Sequence, residues 1–235
     1  VVPMTVLGLK AGRQSRGHRF HAPEVFDIAS PETYVDVLRT HYVMVDALER
    51  QAKITAQVNS CAASVSMQAV IPEDLLSEVN CLVEWPSAVL CQFDADFLRV
   101  PHEALISTMQ TNQKFFPLQT PQGALSEYFV GIANIESKDV AQIKKGYERV
   151  IRPRFADAQF FFDEDIKQGI NSMAQGLASV TYQQKLGSYA DKTARMATLA
   201  ESIAAQLGMS KPEARRAAEL SKADLQSRMV GEFPE

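Results

Sequence analysis

The sequence predicts an α+β protein that is predominantly helical. Apolar residues recur at helical spacing over most of the chain, and runs typical of strands are confined to the part before Ser137. The chain has 235 residues, of which 46% are hydrophobic, enough for one large domain or two small ones with real cores. We expect a mixed α/β module over residues 1–150, followed by an all-helical region over residues 151–235.

Helices of the first module are predicted at starts that contain proline. Ser30-Pro31-Glu32 offers a capping hydroxyl, a proline at the first helical position and an acid in the first turn. Helical spacing of apolar residues then predicts a helix to about residue 58, and the small residues from Ser60 to Ser66 predict a loop. Further helices are expected to begin at Pro72 and Pro101.

Strands are predicted where β-favouring residues lie between turn signals. The expected extended segments cover residues 4–9, 89–93, 114–118 and 128–135. Pro121-Gln122-Gly123 is typical of a turn, so the last two segments are expected to form a hairpin or to be neighbours in one sheet.

The second half is predicted to contain only helices, over residues 139–150, 155–175, 187–207 and 211–231. Gly208 is a suitable C-cap for the third of them. Ser210-Lys211-Pro212-Glu213 is a typical start for the fourth.

Composition limits the classes of function. The net charge is −4, so contact with nucleic acid requires local basic patches. No apolar run is long enough to span a bilayer, and the start of the chain lacks the pattern of a signal peptide. Three widely spaced cysteines suit reduced thiols in a cytoplasmic protein. The absence of an initial Met and the apolar residues before Glu235 suggest an internal fragment of a longer polypeptide.

A sharp switch in charge marks the middle of the chain. Five cations and one anion lie between Lys144 and Arg154, and four acids without a cation lie between Asp157 and Asp165. The cations could meet phosphates, and Pro153 fixes the backbone between its two flanking arginines. Alternatively, they satisfy the carbonyls at a helix end and pair with Asp157 or Asp163.

Other basic residues also have two interpretations. The basic segment from Lys10 to His21 could contact nucleic acid or be an exposed loop, and its two histidines are a weak indication of a metal site. Lys114 precedes two aromatic residues that could stack on bases, although at least one ring is better explained as core. The candidate phosphate-binding residues are Arg16, Arg19, Lys114, Arg149, Arg152, Arg154, Lys192 and Lys222. No catalytic or metal-binding set is predicted, and no P-loop or G-x-G-x-x-G is present.

Several segments together resemble the β subunit of the bacterial two-subunit glycyl-tRNA synthetase. They run in order along nearly the whole chain: Gly17-His18-Arg19-Phe20, Leu82-Val83-Glu84-Trp85-Pro86, Asn112-Gln113-Lys114-Phe115-Phe116-Pro117, Asn134-Ile135-Glu136-Ser137-Lys138-Asp139, Glu148-Arg149-Val150-Ile151-Arg152-Pro153-Arg154-Phe155-Ala156-Asp157-Ala158 and Leu220-Ser221-Lys222-Ala223-Asp224-Leu225. Because several of these blocks are long, the resemblance is specific.

The resemblance implies a fold and a role. The fragment would span a module similar to the B3/B4 domain of phenylalanyl-tRNA synthetase and enter a helical region similar to the HD phosphohydrolase fold, whose metal ligands are not evident here. The α subunit, the expected partner, would use ATP and Mg²⁺ to make the glycyl adenylate. The β subunit would bind and position tRNA-Gly and support assembly. No catalytic residue, cofactor, membrane or DNA is expected for this fragment.

Two alternatives remain from the sequence. One is a hydrolytic editing module, by analogy with the B3/B4 domain. The other is a non-catalytic assembly scaffold, in which the basic segments serve subunit docking or internal salt bridges.

Overall fold

The computed structural model describes residues 1–234 and confirms the predominantly helical α+β class. The chain divides into two compact units. Unit 1 comprises Val1–His102 and Ile106–Pro153, and unit 2 comprises Glu103–Leu105 together with the residues from Arg154 onward.

Unit 1 contains a four-stranded antiparallel sheet with the strand order β5-β7-β8-β6. Its strands are β5 (Gln68–Ala69), β6 (Ser87–Gln92), β7 (Phe116–Gln119) and β8 (Leu125–Ala133). The predicted hairpin is confirmed, since β7 and β8 pair directly across the expected turn.

Two small hairpins precede this sheet. They consist of β1 (Thr5–Val6), β2 (Leu9–Lys10), β3 (Gln14–Arg16) and β4 (Val25–Asp27). The expected single extended segment over residues 4–9 is therefore a hairpin, which turns at Leu7 and Gly8, both with positive φ. The basic segment from Lys10 to His21 is likewise partly a strand.

The helix predicted from Ser30 to about residue 58 is wrong, because it is two helices. A 3-10 turn over Pro31–Thr33 leads into α1 (Tyr34–Thr40), and Tyr42 at φ 59° breaks the helical path. α2 (Ala47–Ser64) then begins at Asp46, whose carboxylate accepts hydrogen bonds from two backbone amides of the first turn.

The loop predicted from Ser60 to Ser66 is also wrong, because α2 continues to Ser64. Ile54, Val58 and Ala62 recur at four-residue spacing and are buried, so the apolar face of the helix extends into the run of small residues. Tertiary packing thus outweighs the loop-like composition.

The main core of unit 1 lies between α2, α3 (Glu73–Leu82) and one face of the sheet. Phe116, Leu118 and Val130 are its fully buried strand residues. α4 (His102–Ser107) begins beside Pro101 as expected and leads into a π-helical turn over Thr108–Asn112.

A single long helix, α5 (Val140–Gln168), replaces the two helices predicted over residues 139–150 and 155–175. Pro153 lies inside it and cannot donate to the carbonyl of Arg149, a defect that costs about 3 kcal/mol in a helix interior. Ile151, Phe155 and Ala158 form a buried stripe on both sides of the proline. Burying their side chains offsets the missing hydrogen bond. α5 ends at Gly169, which has φ 71°.

Unit 2 contains the last four helices, α6 (Ile170–Gly176), α7 (Tyr189–Gln206), α8 (Lys211–Leu220) and α9 (Arg228–Glu232). The all-helical prediction is wrong at one place, where β9 (Thr181–Gln183) and β10 (Gly187–Ser188) form a hairpin. Gly187 has φ 86°, a conformation that favours glycine and closes this turn.

The predicted caps of unit 2 have mixed outcomes. The C-cap role of Gly208 is confirmed by its φ of 67° and by the Met209 amide, which donates to the Ala204 carbonyl. α8 starts where expected, but a 3-10 turn over Ala223–Gln226 separates it from α9, so the fourth predicted helix is two.

The three cysteines are free and differ in accessibility. Burial raises the pKa of the Cys91 thiol to about 12. Cys61 is only half-buried, and burial raises its pKa as well. Cys81 is exposed. Because the thiolate is the reactive species, we expect iodoacetamide at pH 8 to alkylate Cys81 first and Cys91 only after unfolding. Peptide mass spectrometry during a time course measures this order. Early modification of Cys91 in folded protein would contradict it.

Candidate nucleic-acid interface

Within unit 1, the first half of α5 packs on the sheet through one face. The Gln92 amide donates to the Glu148 carboxylate at 2.9 Å, and the Tyr147 ring lies over Gly131 and beside Phe115. A Cβ at Gly131 would come within 2.7 Å of the Tyr147 ring, so glycine permits this close approach. Burial raises the pKa of the Tyr147 hydroxyl. These contacts fix which side of α5 faces the sheet.

The other side of this half-helix carries three cations, which we call the α5 stripe: Lys145, Arg149 and Arg152. Their spacings of four and three residues place them on one face, over about 10 Å of helix axis. All three are exposed, and none forms an ion pair with another described residue. The stripe therefore presents unneutralised positive charge to solvent.

Arg154 does not join the stripe. Two residues of α-helix rotate the chain by about 200°, so Arg152 and Arg154 point to opposite sides of α5. The sequence predicts a helix boundary at Pro153, between Arg152 and Arg154. The helix is instead continuous through Pro153, so the two arginines are not neighbours on one surface of a bend. Asp157 is exposed, and within residues 1–234 it forms no ion pair with either arginine.

Lys114 is already paired inside the protein. Its Nζ lies 2.8 Å from a Glu78 carboxylate oxygen, and its backbone has φ 58°. Phe115 and Phe116 are both buried, so their rings belong to the core, as expected for at least one of them. A phosphate at Lys114 would have to compete with Glu78.

Arg16 and Arg19 lie in the N-terminal part of unit 1. Arg16 ends β3 and is exposed. Arg19 is also exposed, and its guanidinium lies 5.0 Å from the centroid of the exposed Phe20 ring. Each can reach solvent, but Arg16 and Arg19 lie in β3 and the loop after it and not on the helix that carries the α5 stripe.

Three of the segments that carry the family resemblance meet at a polar junction. His18 is fully buried, and its Nδ1 accepts hydrogen bonds from the amides of Phe20 and His21. The Nε2 must therefore carry the proton and donate to the Asn134 carbonyl, at 2.6 Å. The Asn134 side-chain oxygen accepts from the amides of Glu84 and Trp85.

The second histidine of the same segment is also structural. The His21 Nε2 accepts from the Glu136 amide at 3.1 Å, and its ring stacks on Tyr42. Trp85 donates from Nε1 to Glu136, and the Lys53 ammonium lies 4.3 Å from the centroid of the Trp85 ring. Among residues 1–234, no group of three or more His, Cys, Asp or Glu side chains is arranged to hold a metal ion.

In unit 2, several cations are neutralised and others are not. Arg215 pairs with Glu201 and Glu219, Arg216 pairs with Glu219, and Lys167 pairs with Glu164. Lys192 instead lies 4.0 Å from the centroid of the Tyr182 ring and 5.6 Å from that of Tyr189. Lys222 is half-buried and forms no ion pair within the described chain.

The family model described as glycyl-tRNA synthetase beta subunit matches residues 1–235. The chain belongs to this family. Curated relatives named glycine–tRNA ligase beta subunit match all of the chain: 59% identity in Xanthomonas campestris pv. campestris (strain B100), 57% in Xylella fastidiosa (strain M12) and 51% in Azotobacter vinelandii (strain DJ). The matches cover 34%, 32% and 34% of those proteins, so the chain spans about a third of their length.

Family membership accounts for the segments on which the resemblance rests, but it does not assign the cations. Lys145 was missed as a member of the candidate set. Its spacing to Arg149 and Arg152 identifies it only when α5 is known to be one helix. Tyr182 and Tyr189 were also missed, because the hairpin that brings them to Lys192 was not predicted. Within the described residues, no helix combines the length and the apolar character required to cross a bilayer.

Proposed function

We propose that this chain is the part of a glycine–tRNA ligase beta subunit that binds tRNA-Gly and positions it for charging. The adenylate chemistry, with ATP and Mg²⁺, takes place on the α subunit, which is the protein partner. The family match supports the general role, and the α5 stripe is the observation that supports RNA contact. Three exposed cations without acidic partners can neutralise phosphates of an RNA backbone.

The test is the double variant Arg149→Ala with Arg152→Ala in the full-length protein, assembled with its α subunit. We expect tRNA-Gly to bind about tenfold more weakly, because two phosphate contacts are lost, and the slope of log K against log salt to fall by about 2. Filter binding at several salt concentrations measures both quantities. Glycine-dependent exchange between ATP and pyrophosphate reports adenylate formation and should remain unchanged.

Lys167→Ala is a matched control, because it removes a cation from the same helix that is already paired with Glu164. Its tRNA affinity should stay within about twofold of wild type. Arg154→Ala, on the opposite side of α5, separates the stripe from a general effect of positive charge. Unchanged tRNA affinity and charging in the folded double variant would remove the stripe from the tRNA interface and would favour the assembly scaffold.

A further inference from the structure

A cluster of two tyrosines and one lysine lies where the β9–β10 hairpin meets the start of α7. The Tyr182 and Tyr189 rings are 5.4 Å apart and inclined at 69°, and Lys192 contacts both. Tyr182 remains 38% exposed. Tyr189 and Lys192 are three residues apart on α7, so their side chains project from the same face.

Local hydrogen bonds hold this cluster in place. The Tyr189 amide donates to the Val180 carbonyl at 2.8 Å, which fixes the start of α7 beside β9. Ser188 and Asp191 form a reciprocal capping box at the same helix end. The Arg195 guanidinium donates to the Leu186 carbonyl at 3.2 Å and ties the hairpin loop to α7. These hydrogen bonds therefore hold in place the backbone that carries the two tyrosine rings.

The charge around the cluster is positive. Lys185, Lys192 and Arg195 form no ion pair with other described residues, and the nearby acid is Asp191. Both the amide and the hydroxyl of Ser188 donate to the Asp191 carboxylate, and these bonds lower its pKa. Asp191 thus remains charged but is occupied with the helix cap. Three cations against one acid leave a local excess of positive charge.

An exposed tyrosine ring and a half-buried one, beside cations without ion-pair partners, match the chemistry of an unpaired nucleotide. A base offers a flat π-face that stacks on a tyrosine ring, and its phosphate meets a lysine or arginine. In a duplex the bases are already stacked on one another, so duplex RNA can use only the cations. We propose that Tyr182, Tyr189 and Lys192 form a stacking site for unpaired nucleotides of RNA, with Lys185 and Arg195 contacting adjacent phosphates. This inference rests on the proposed tRNA-binding function and specifies which part of the RNA this surface recognises.

The test compares single-stranded with double-stranded RNA on the full-length protein in complex with its α subunit. The probes are a fluorescein-labelled oligouridylate of about 12 nucleotides and a duplex of the same length, followed by fluorescence anisotropy. In the double variant Tyr182→Leu with Tyr189→Leu, we expect oligouridylate to bind about tenfold more weakly and the duplex to change by less than about twofold. Tyr182→Phe keeps the ring and should bind oligouridylate as wild type does.

Three results would overturn the site: equal weakening for both probes, no weakening in the folded leucine variant, or no binding of oligouridylate by wild type. If the leucine variant does not fold, photocrosslinking of wild type to 4-thiouridine oligonucleotides decides. Crosslinks within residues 181–195 support the site, and crosslinks only elsewhere reject it.

The two proposals fail separately. Unchanged tRNA affinity and charging in the folded Arg149/Arg152 variant reject the proposed function alone, and tyrosine-independent oligouridylate binding rejects this site alone.

Discussion

Replacing His18 with alanine is expected to destabilise unit 1 by about 3 to 5 kcal/mol. The ring is fully buried, donates to the Asn134 carbonyl and accepts from two backbone amides. Alanine leaves these three groups without their partner and adds a cavity. Chemical denaturation measures the loss, and amide hydrogen exchange should show lower protection at residues 14–28 and 133–137.

Two further variants give this experiment its controls. His18→Gln retains one donor and one acceptor and should recover part of the lost stability. His102→Ala removes an exposed imidazole and should change the free energy of unfolding by less than about 0.5 kcal/mol. If the His18→Ala variant unfolded at the same denaturant midpoint as wild type, the polar junction would contribute little to stability.

Replacing Asp165 with alanine is expected to destabilise unit 2 by about 2 to 4 kcal/mol. Its buried carboxylate accepts from the Arg228 amide at 2.8 Å and from the Met229 amide at 2.9 Å. These are the first two amides of α9, and the third, that of Val230, donates to the Ser227 hydroxyl. Without the carboxylate, two donors at the helix start lose their acceptor. Limited proteolysis is then expected to cut the variant near residues 221–232 faster than it cuts wild type.

Asp165→Asn tests whether the loss depends on two acceptors, because an amide side chain offers only one oxygen. It should cost about half as much as alanine or more. Asp157→Ala removes an exposed acid from the same helix and should change stability by less than about 0.5 kcal/mol. Equal proteolysis of the Asp165→Ala and Asp157→Ala variants would contradict the capping role.

Locally determined features were predictable from the sequence. Gly208 ends a helix because glycine readily adopts positive φ, and Pro121-Gln122-Gly123 closes the β7–β8 hairpin for similar local reasons. The helix boundary predicted near Pro153 was wrong, although proline favours a helix end. α5 continues because the residues on both sides of Pro153 form a buried stripe, which only the structure shows. The β9–β10 hairpin was missed because its strands have only three and two residues.

Predicting the candidate site required the boundaries of α5 more than the identities of its residues. The cations of α5 were recognised from composition, but the choice of partners for Arg152 requires the helical phase. Given a continuous helix, Arg149 joins Arg152 and Arg154 does not. The pairing of Lys114 with Glu78 joins residues that are distant in sequence, so no local pattern could indicate it.

The bond between His18 and Asn134 has a consequence for biosynthesis. The two residues are 116 positions apart, so His18 cannot donate to the Asn134 carbonyl until the residue that follows β8 has been synthesised. At bacterial elongation rates this interval is on the order of 10 s. During that time the His18 imidazole lacks the acceptor of its Nε2 proton, and a long loop must close before this hydrogen bond forms. The hydrogen bond between His18 and Asn134 is therefore one of the later contacts of unit 1 to become possible during synthesis.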